Sequence, residues 1–556
     1  MIAYWPILTL GVVLLLAVMG HTEHMPPSLP PLQERRIGIF PAVENIVSKD
    51  GVSALHISRD DLHVVAVAHT GKHLVVYSDG KPDPIYDAIG GVSLSPTGGH
   101  IAYAAKKGDQ WFLVYDGIKD KPCDGINEAW DYQPIYPPTN PYEGAFFGQI
   151  SPDAALQFSD DGKHFAYARQ DGTKHCVVMD GHAGPEYDAV GELQLSADGR
   201  HLDYLAKQGQ VQFAIIDGHP GPSYSGIGQL VLSHEGRHTA YVAYQANKYF
   251  VVADGRAGPT FSFIGYGALT FSPDSKRTAY SAWIDRGLEY GIKHVAVVDG
   301  QVSTDYEEVT APVFSPDSKQ VAYIASIAPT VETVVLNGRP GPKYSSISDV
   351  QFSADSCHLA YTACDQRKYF EIFDGKPGSK YDLIAQRGTT TSPILSPDGR
   401  RVAYEARIGI PGHDWHGFPI AHDTVRAHPF IVVDSKPGPK YGGLYQLLFS
   451  PDSRHIAYMA EKGNHWLVVL DGQEGNQYNH IRELKFSADS KHLVYAADKD
   501  IGKYLDDRMV VVIDGREGPE YQMILDDPPI FTSADAVTYF AVGHGVLYHV
   551  VQHLAK

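Results

Sequence analysis

Residues 271 to 280 read Phe271-Ser-Pro-Asp-Ser-Lys-Arg-Thr-Ala-Tyr280. The order of residue types is that of a hairpin. A short strand ends at Phe271, a Pro-Asp-Ser turn offers an Asp side chain to backbone N–H groups, and a second strand runs on to Tyr280. The Ser of this segment recurs at Ser58, Ser95, Ser159, Ser196, Ser233, Ser272, Ser315, Ser353, Ser396, Ser450, Ser487 and Ser533, with a median spacing of 39 residues. Asp stands two positions after it in ten units, with Thr97 and Glu235 as exceptions, and Tyr stands eight positions after it in ten units.

Working outward, the residue thirteen beyond that position, which is Ala66 in the first unit, is in seven units the Asp of an Asp-Gly turn closing an apolar run such as Trp466-Leu-Val-Val-Leu-Asp471-Gly472. Runs this continuous suit strands covered on both faces. Seven residues past that Asp an aromatic follows in ten of the eleven units that have the turn, as in Asp514-Gly-Arg-Glu-Gly-Pro-Glu-Tyr521. Gly and Pro are read as shaping a turn there, with the fourth strand placed after the aromatic. A four-stranded unit of this period is one blade of a β-propeller. The fold class is therefore all-β, with twelve blades. Two six-bladed propellers, residues 42–310 and 311–556, fit the length best, and seven plus five is the alternative. The repeated Asp and Tyr are assigned to turn capping and packing between blades, since stacked units require periodic identity. The last unit, residues 528–556, has three strand-like runs; residues 42–47 are expected to supply the fourth and bring the chain ends together.

The motif Phe-Ser-Pro-Asp-Ser/Gly-Lys/Arg-x-x-Ala-Tyr resembles the TolB-like β-propeller repeat of exported bacterial proteins, from about residue 52 to the C-terminus. The resemblance implies a propeller fold, a periplasmic or extracellular location and, most often, binding of other proteins. It does not extend to TolB itself, because no separate N-terminal α/β domain precedes the repeats, so the Tol-system partners are not implied. The turn differs from the sialidase Asp-box, which has Gly two residues after the Asp and then Trp.

Composition narrows the function classes. Lys plus Arg total 46 against 65 Asp plus Glu, a net charge of −19, and such a surface repels phosphate backbones; nucleic acid is not expected as a partner. Residues 2–19 are nearly all apolar, so residues 1–20 read as a signal peptide or an N-terminal membrane anchor, and residues 21–41 as a Pro-rich spacer. Four cysteines are too few for a disulfide framework and are read as free. Gly-x-Ser-x-Gly, phosphate-loop and Cys-x-x-Cys motifs do not occur.

Variation in length points to a binding face. In an up-and-down blade the first-to-second and third-to-fourth connections share one face, and here their spacings hardly vary. The other face takes insertions at residues 285–292, 408–427 and 498–507. Residues 385–391 are read as an extended link from the blade before the longest insertion. Residues 118–155, rich in Pro and aromatics (Trp130, Tyr132, Tyr136, Tyr142, Phe146, Phe147), replace a usual Gly-Pro turn. Long loops on a rigid scaffold are where binding usually resides. Within residues 412–428 stand His413, Asp414, Trp415, His416, His422, Asp423 and His428. The His and Asp residues are candidate ligands for a divalent metal and Trp415 is a candidate platform for a sugar ring, although the spacing matches no established metal motif and the chain holds 27 His. Asp498, Asp500, Asp506 and Asp507 are weighed as a Ca²⁺ loop without an EF-hand pattern.

Two functions are carried forward. The first is an exported, non-catalytic scaffold, with no cofactor, that binds a protein or glycan through Arg387 and the His-rich loop on its loop-rich face. The second is a propeller-type polysaccharide lyase or hydrolase using loop 412–428, with Arg387 for charge stabilisation.

Overall fold

The computed structural model describes residues 32–38, 55–57, 64–70, 73–78, 81–126, 156–265, 267, 269–287, 291–385, 393–409, 428–500, 508–525, 529–533, 536–543 and 546–554. They form twelve small antiparallel sheets, numbered here in chain order. The second is representative: an inner strand Ala88–Leu94, then Ile101–Lys107, Gln110–Tyr115 and a short outer strand Ile118–Lys119, each paired with the next.

The Ser-x-Asp turn joins the inner two strands as expected. Ser272 Oγ donates to Asp274 Oδ1 at 2.7 Å and also accepts from Arg277 N at 3.0 Å. The residue after the Asp adopts a left-handed conformation (Ser275 φ 63°, Ser318 φ 63°, Gly199 φ 68°), which explains the Ser/Gly choice there. Where Ser is used, its hydroxyl accepts from the preceding sheet: Asp274 N donates to Ser318 Oγ at 2.9 Å and Asp317 N to Ser356 Oγ at 2.8 Å. In the Asp-Gly turn both residues have positive φ (Asp116 47°, Gly117 75°), the geometry of a type I′ hairpin. Asp116 Oδ1 accepts from Ile101 N at 2.9 Å, tying this turn to the first.

The fourth strand lies elsewhere than the sequence suggested. It is the Gly-Pro segment itself, between the Asp-Gly turn and the aromatic, and the residues after the aromatic begin the next sheet's inner strand. Gly258 shows why Gly is used: its N–H donates to Val251 O at 2.8 Å, and an added Cβ would lie 3.3 Å from that oxygen and 3.6 Å from Tyr280 Oη of the next sheet.

The two periodic aromatics meet across the sheet boundary. Ten pairs, from Tyr86–Tyr103 to Tyr521–Tyr539, have centroids 6.0–6.5 Å apart and steep interplanar angles. Such pairs contribute about 0.5–1.5 kcal/mol each beyond the area they bury. Cys123 takes the aromatic's place against Tyr167, and burial pushes its thiol up to about 11. All four cysteines are free.

Apolar clusters join every pair of consecutive sheets, first to second through eleventh to twelfth. The sixth and seventh sheets pack in this way too, Ala296 against Tyr323 and Val298 against Phe314. Thr310 lies between the two halves of the seventh sheet's inner strand, Glu308–Val309 and Val313–Phe314. The inner rim is stitched by polar side chains: Glu192 accepts from Gln229 N (3.1 Å) and Leu230 N (2.5 Å) of the next sheet, and Gln157 bonds Leu193 O and Leu195 N at 2.7 Å.

The twelfth sheet has three strands from the C-terminal unit, as expected, and takes its outer strand from the N-terminus. That strand is Leu32–Gly38, antiparallel to Val546–His553, with Glu34 opposite Val550 and Arg36 opposite Tyr548. It falls inside the segment read as a spacer, residues 21–41, and is not residues 42–47, which lie outside the described residues. Its Gln, Glu and Arg are the residues of an edge strand, so it carries no apolar alternation to read.

Candidate functional site

The faces separate as the hairpin logic requires. On one, the Ser-x-Asp and Asp-Gly turns abut: His100, His164, His201, His238, His358, His455 and His492 each place Nδ1 2.6–2.9 Å from the Asp of the Asp-Gly turn. Arg277 and Arg401 take the same place and reach on to Ser318 O and Ser453 O of the next sheet, both at 3.0 Å. Among the described residues seven histidines thus orient turns. The sequence signal for them is a His five residues after the repeated Ser.

On the opposite face the turns between second and third strands are held by the residue after the fourth-strand aromatic. Gly108 N donates to Asp87 Oδ2 (2.7 Å), Gly172 N to Asp124 Oδ2 (2.6 Å) and Gly209 N to Asp188 Oδ2 (2.6 Å). In the ninth sheet Gly409 N donates to Asp382 Oδ2 at 2.7 Å, so the longest insertion starts from the anchor of an ordinary tight turn. Lys368 Nζ bonds the other oxygen of Asp382. Arg407 holds the buried Glu405 through Nε and Nη2, both at 2.9 Å.

Of the predicted site residues, His428 is described. It is exposed at the foot of the loop, with Nδ1 3.1 Å from Tyr441 O. Arg387, His413, Asp414, Trp415, His416, His422 and Asp423 lie outside the described residues.

The flanks of two further excursions place them differently from the sequence reading. Residues 118–126 are regular: Ile118–Lys119 is an outer strand, Trp111 bridges Cys123, and Asp120 accepts from Tyr167 Oη at 2.5 Å. The insertion is therefore 127–155, between Gly125–Ile126 and Leu156–Phe158, which both pair with Phe165–Asp171. Likewise residues 385–393 are not a link from the preceding blade. They separate Leu383–Ile384 from Ile394–Leu395, the two halves of the ninth sheet's own inner strand. The ninth sheet thus carries both this excursion and the 410–427 insertion.

The remaining insertions are set in salt-bridged stems. In the sixth sheet Arg286 grips Asp305 with two bonds of 2.8 Å, and Lys293 lies 2.6 Å from Glu307. In the eleventh, Lys499 contacts Glu517 (2.8 Å) and Glu520 (3.0 Å), and Asp498 faces Arg482 at 3.9 Å. Asp506 and Asp507 lie outside the described residues. Among the described residues no group of three or more His, Cys, Asp or Glu is arranged to hold a metal ion.

The least expected ionisable residue is Glu371. It is 2 % exposed, and neither carboxylate oxygen has a partner among the described residues. It stands three residues before its turn Asp, where other sheets carry Val76, Leu113, Val177, Ala214, Val251, Ala296, Val334, Ile431, Val468 and Val511. Burial, with Asp349 nearby, raises its pKa well above the usual carboxylate range. It faces the ninth sheet, beneath the blade that bears the insertions: Glu371 Cβ and Tyr404 Oη both lie within 3.8 Å of where a Cβ on Gly378 would be.

Twelve antiparallel sheets of four strand positions, the inner one in two pieces in six of them, packed face to face in sequence are propeller blades. The fold is a β-propeller fold. Solved structures with this fold match distantly. The β-propeller domain of the trilobed protease from Pyrococcus furiosus is 14% identical over 53% of this chain and 97% of that one, with a TM-score of 0.25. The tricorn protease is 10% identical over 89% of this chain and 60% of that one (TM-score 0.23), and TolB from Acinetobacter baumannii 12% over 59% and 79% (TM-score 0.21). No protein-family model matches the sequence, and no curated protein matches it.

Proposed function

We propose that the protein is an exported, non-catalytic propeller scaffold that binds a protein or glycan partner on its loop-rich face. The observation that carries this reading is the asymmetry between faces. One is uniform from sheet to sheet, its carboxylates and imidazoles committed to turn geometry. The other bears insertions in the sixth, ninth and eleventh sheets, on stems fixed by ion pairs and by the Asp382–Gly409 anchor. Rigid stems with variable tips place recognition in the loops at low entropic cost. On this reading Arg387, His413, Asp414, Trp415, His416, His422, Asp423 and His428 contact the partner, and a TolB-like export route takes the chain to the periplasm or cell exterior, with residues 2–19 as leader or anchor.

The test replaces residues 410–427 by a tight turn like that of the second sheet and compares binding to an arrayed glycan panel and to cell-envelope proteins. Loss of a specific ligand with unchanged thermal stability supports the reading. Retention of that ligand overturns it.

A further inference from the structure

Each sheet has two faces, one toward the sheet before it and one toward the sheet after it, because side chains alternate along strands. The eleven junctions between consecutive sheets use all of these faces except two. The twelfth sheet meets the eleventh through Val537, Tyr539, Ala541 and Val550. Its opposite face carries Thr538, Phe540 and Val542, which are 1 %, 0 % and 4 % exposed. The first sheet meets the second through Val65 and Val76. Its opposite face carries Val75 and Tyr77, 3 % and 8 % exposed. The described side chains of both end faces are thus as buried as those of interior ones. A break between the sixth and seventh sheets would leave faces there for two separate rings to close upon, yet those two sheets pack against each other.

We infer that the twelve sheets close into a single ring, the twelfth seated on the first and Leu32–Gly38 acting as the clasp. In the chain the clasp strand precedes the first sheet's inner strand, Leu55–Ile57, the order that outer strand and next inner strand follow at every other junction.

Closure has a geometric consequence for binding. Sheets pack about 10 Å apart, so twelve give a mid-blade circumference of about 120 Å and a radius of about 19 Å; with strands about 4.8 Å apart, the inner strands stand about 12 Å from the axis. The ring therefore surrounds an open centre, with the bulged positions Gly91, Glu192, Gln229, Asp349 and Gln446 on the inner strands around it. The inference does not depend on the loop-rich face being the binding face.

Electron-microscopic class averages of the full chain in detergent test it. A single annulus with twelve radial segments and an open centre is expected. Two abutting discs, or an open arc, would overturn it. A chain lacking residues 32–38 should give opened arcs; annuli from that variant would refute the clasp, and if it does not fold, the images of the full chain still decide closure.

Discussion

Replacing Glu371 by Val should make the protein more stable, and increasingly so as pH rises. The carboxyl is buried without a partner among the described residues, at a position where ten other sheets carry an aliphatic residue. A buried polar group left unsatisfied costs about 1–3 kcal/mol. Ionisation adds to this above the raised pKa. A group whose folded pKa lies above its unfolded value, about 4.3 for Glu, favours the folded state fully below that value, and this contribution is lost as pH rises through the folded pKa. Wild type should therefore weaken from pH 5 toward pH 8.5 by an amount that Glu371→Val does not show. The Val variant should melt a few degrees higher at pH 8.5, since about 1 kcal/mol corresponds to roughly 2–4 °C in domains of a few hundred residues. Glu371→Gln, which cannot ionise but keeps its polar atoms, should remove the pH dependence with a smaller gain. Calorimetry of the three proteins at both pH values reads this directly. A Val variant less stable than wild type at both would refute the reasoning, by showing that the carboxylate has a stabilising partner.

Tyr280→Ala removes one member of the Phe261–Tyr280 pair from a packed junction and should cost about 3–5 kcal/mol in denaturant unfolding. At Ser318, Gly should be tolerated better than Ala: both lose the acceptor for Asp274 N, but only Ala also keeps a Cβ at φ 63°, and the gap should be about 1 kcal/mol. The turn carboxylates Asp317 and Asp489 are held down at about 2, chiefly by the Ser315 and Ser487 hydroxyls. Their contribution is thus present above about pH 4 and lost as pH falls toward 2, and Asp317→Asn should flatten the acid limb of a stability–pH curve.

Much of the fold was legible because its repeated residues have local jobs. Ser272, Asp274, Tyr280 and Asp299 fix two turns and a junction within some thirty residues, so their period shows in one sequence. The outer strand was misplaced because Gly258 and Pro259 signal a turn, and a two-residue edge strand has too little length to alternate. The clasp was missed because its partner, Val546–His553, lies at the far end of the chain and its charged residues resemble a linker. The ninth sheet was read as two neighbouring features because residues 385–393 interrupt a strand whose halves pair only in three dimensions. Glu371 was passed over because one unlike residue in an apolar strand gives no periodic signal. The His-rich loop was legible as an insertion, and its stem at Gly409 and His428 bears that out.

The claim that partner recognition belongs to the insertions is tested most directly by photo-crosslinking. A benzophenone amino acid would be placed at Ile408, exposed at the root of the ninth-sheet loop, and in a second protein at Lys163 on the uniform face, side chain 74 % exposed. Crosslinking in the native cell envelope should yield one saturable adduct from position 408 and none from 163. An adduct from 163 alone, or equal labelling from both, would contradict the account.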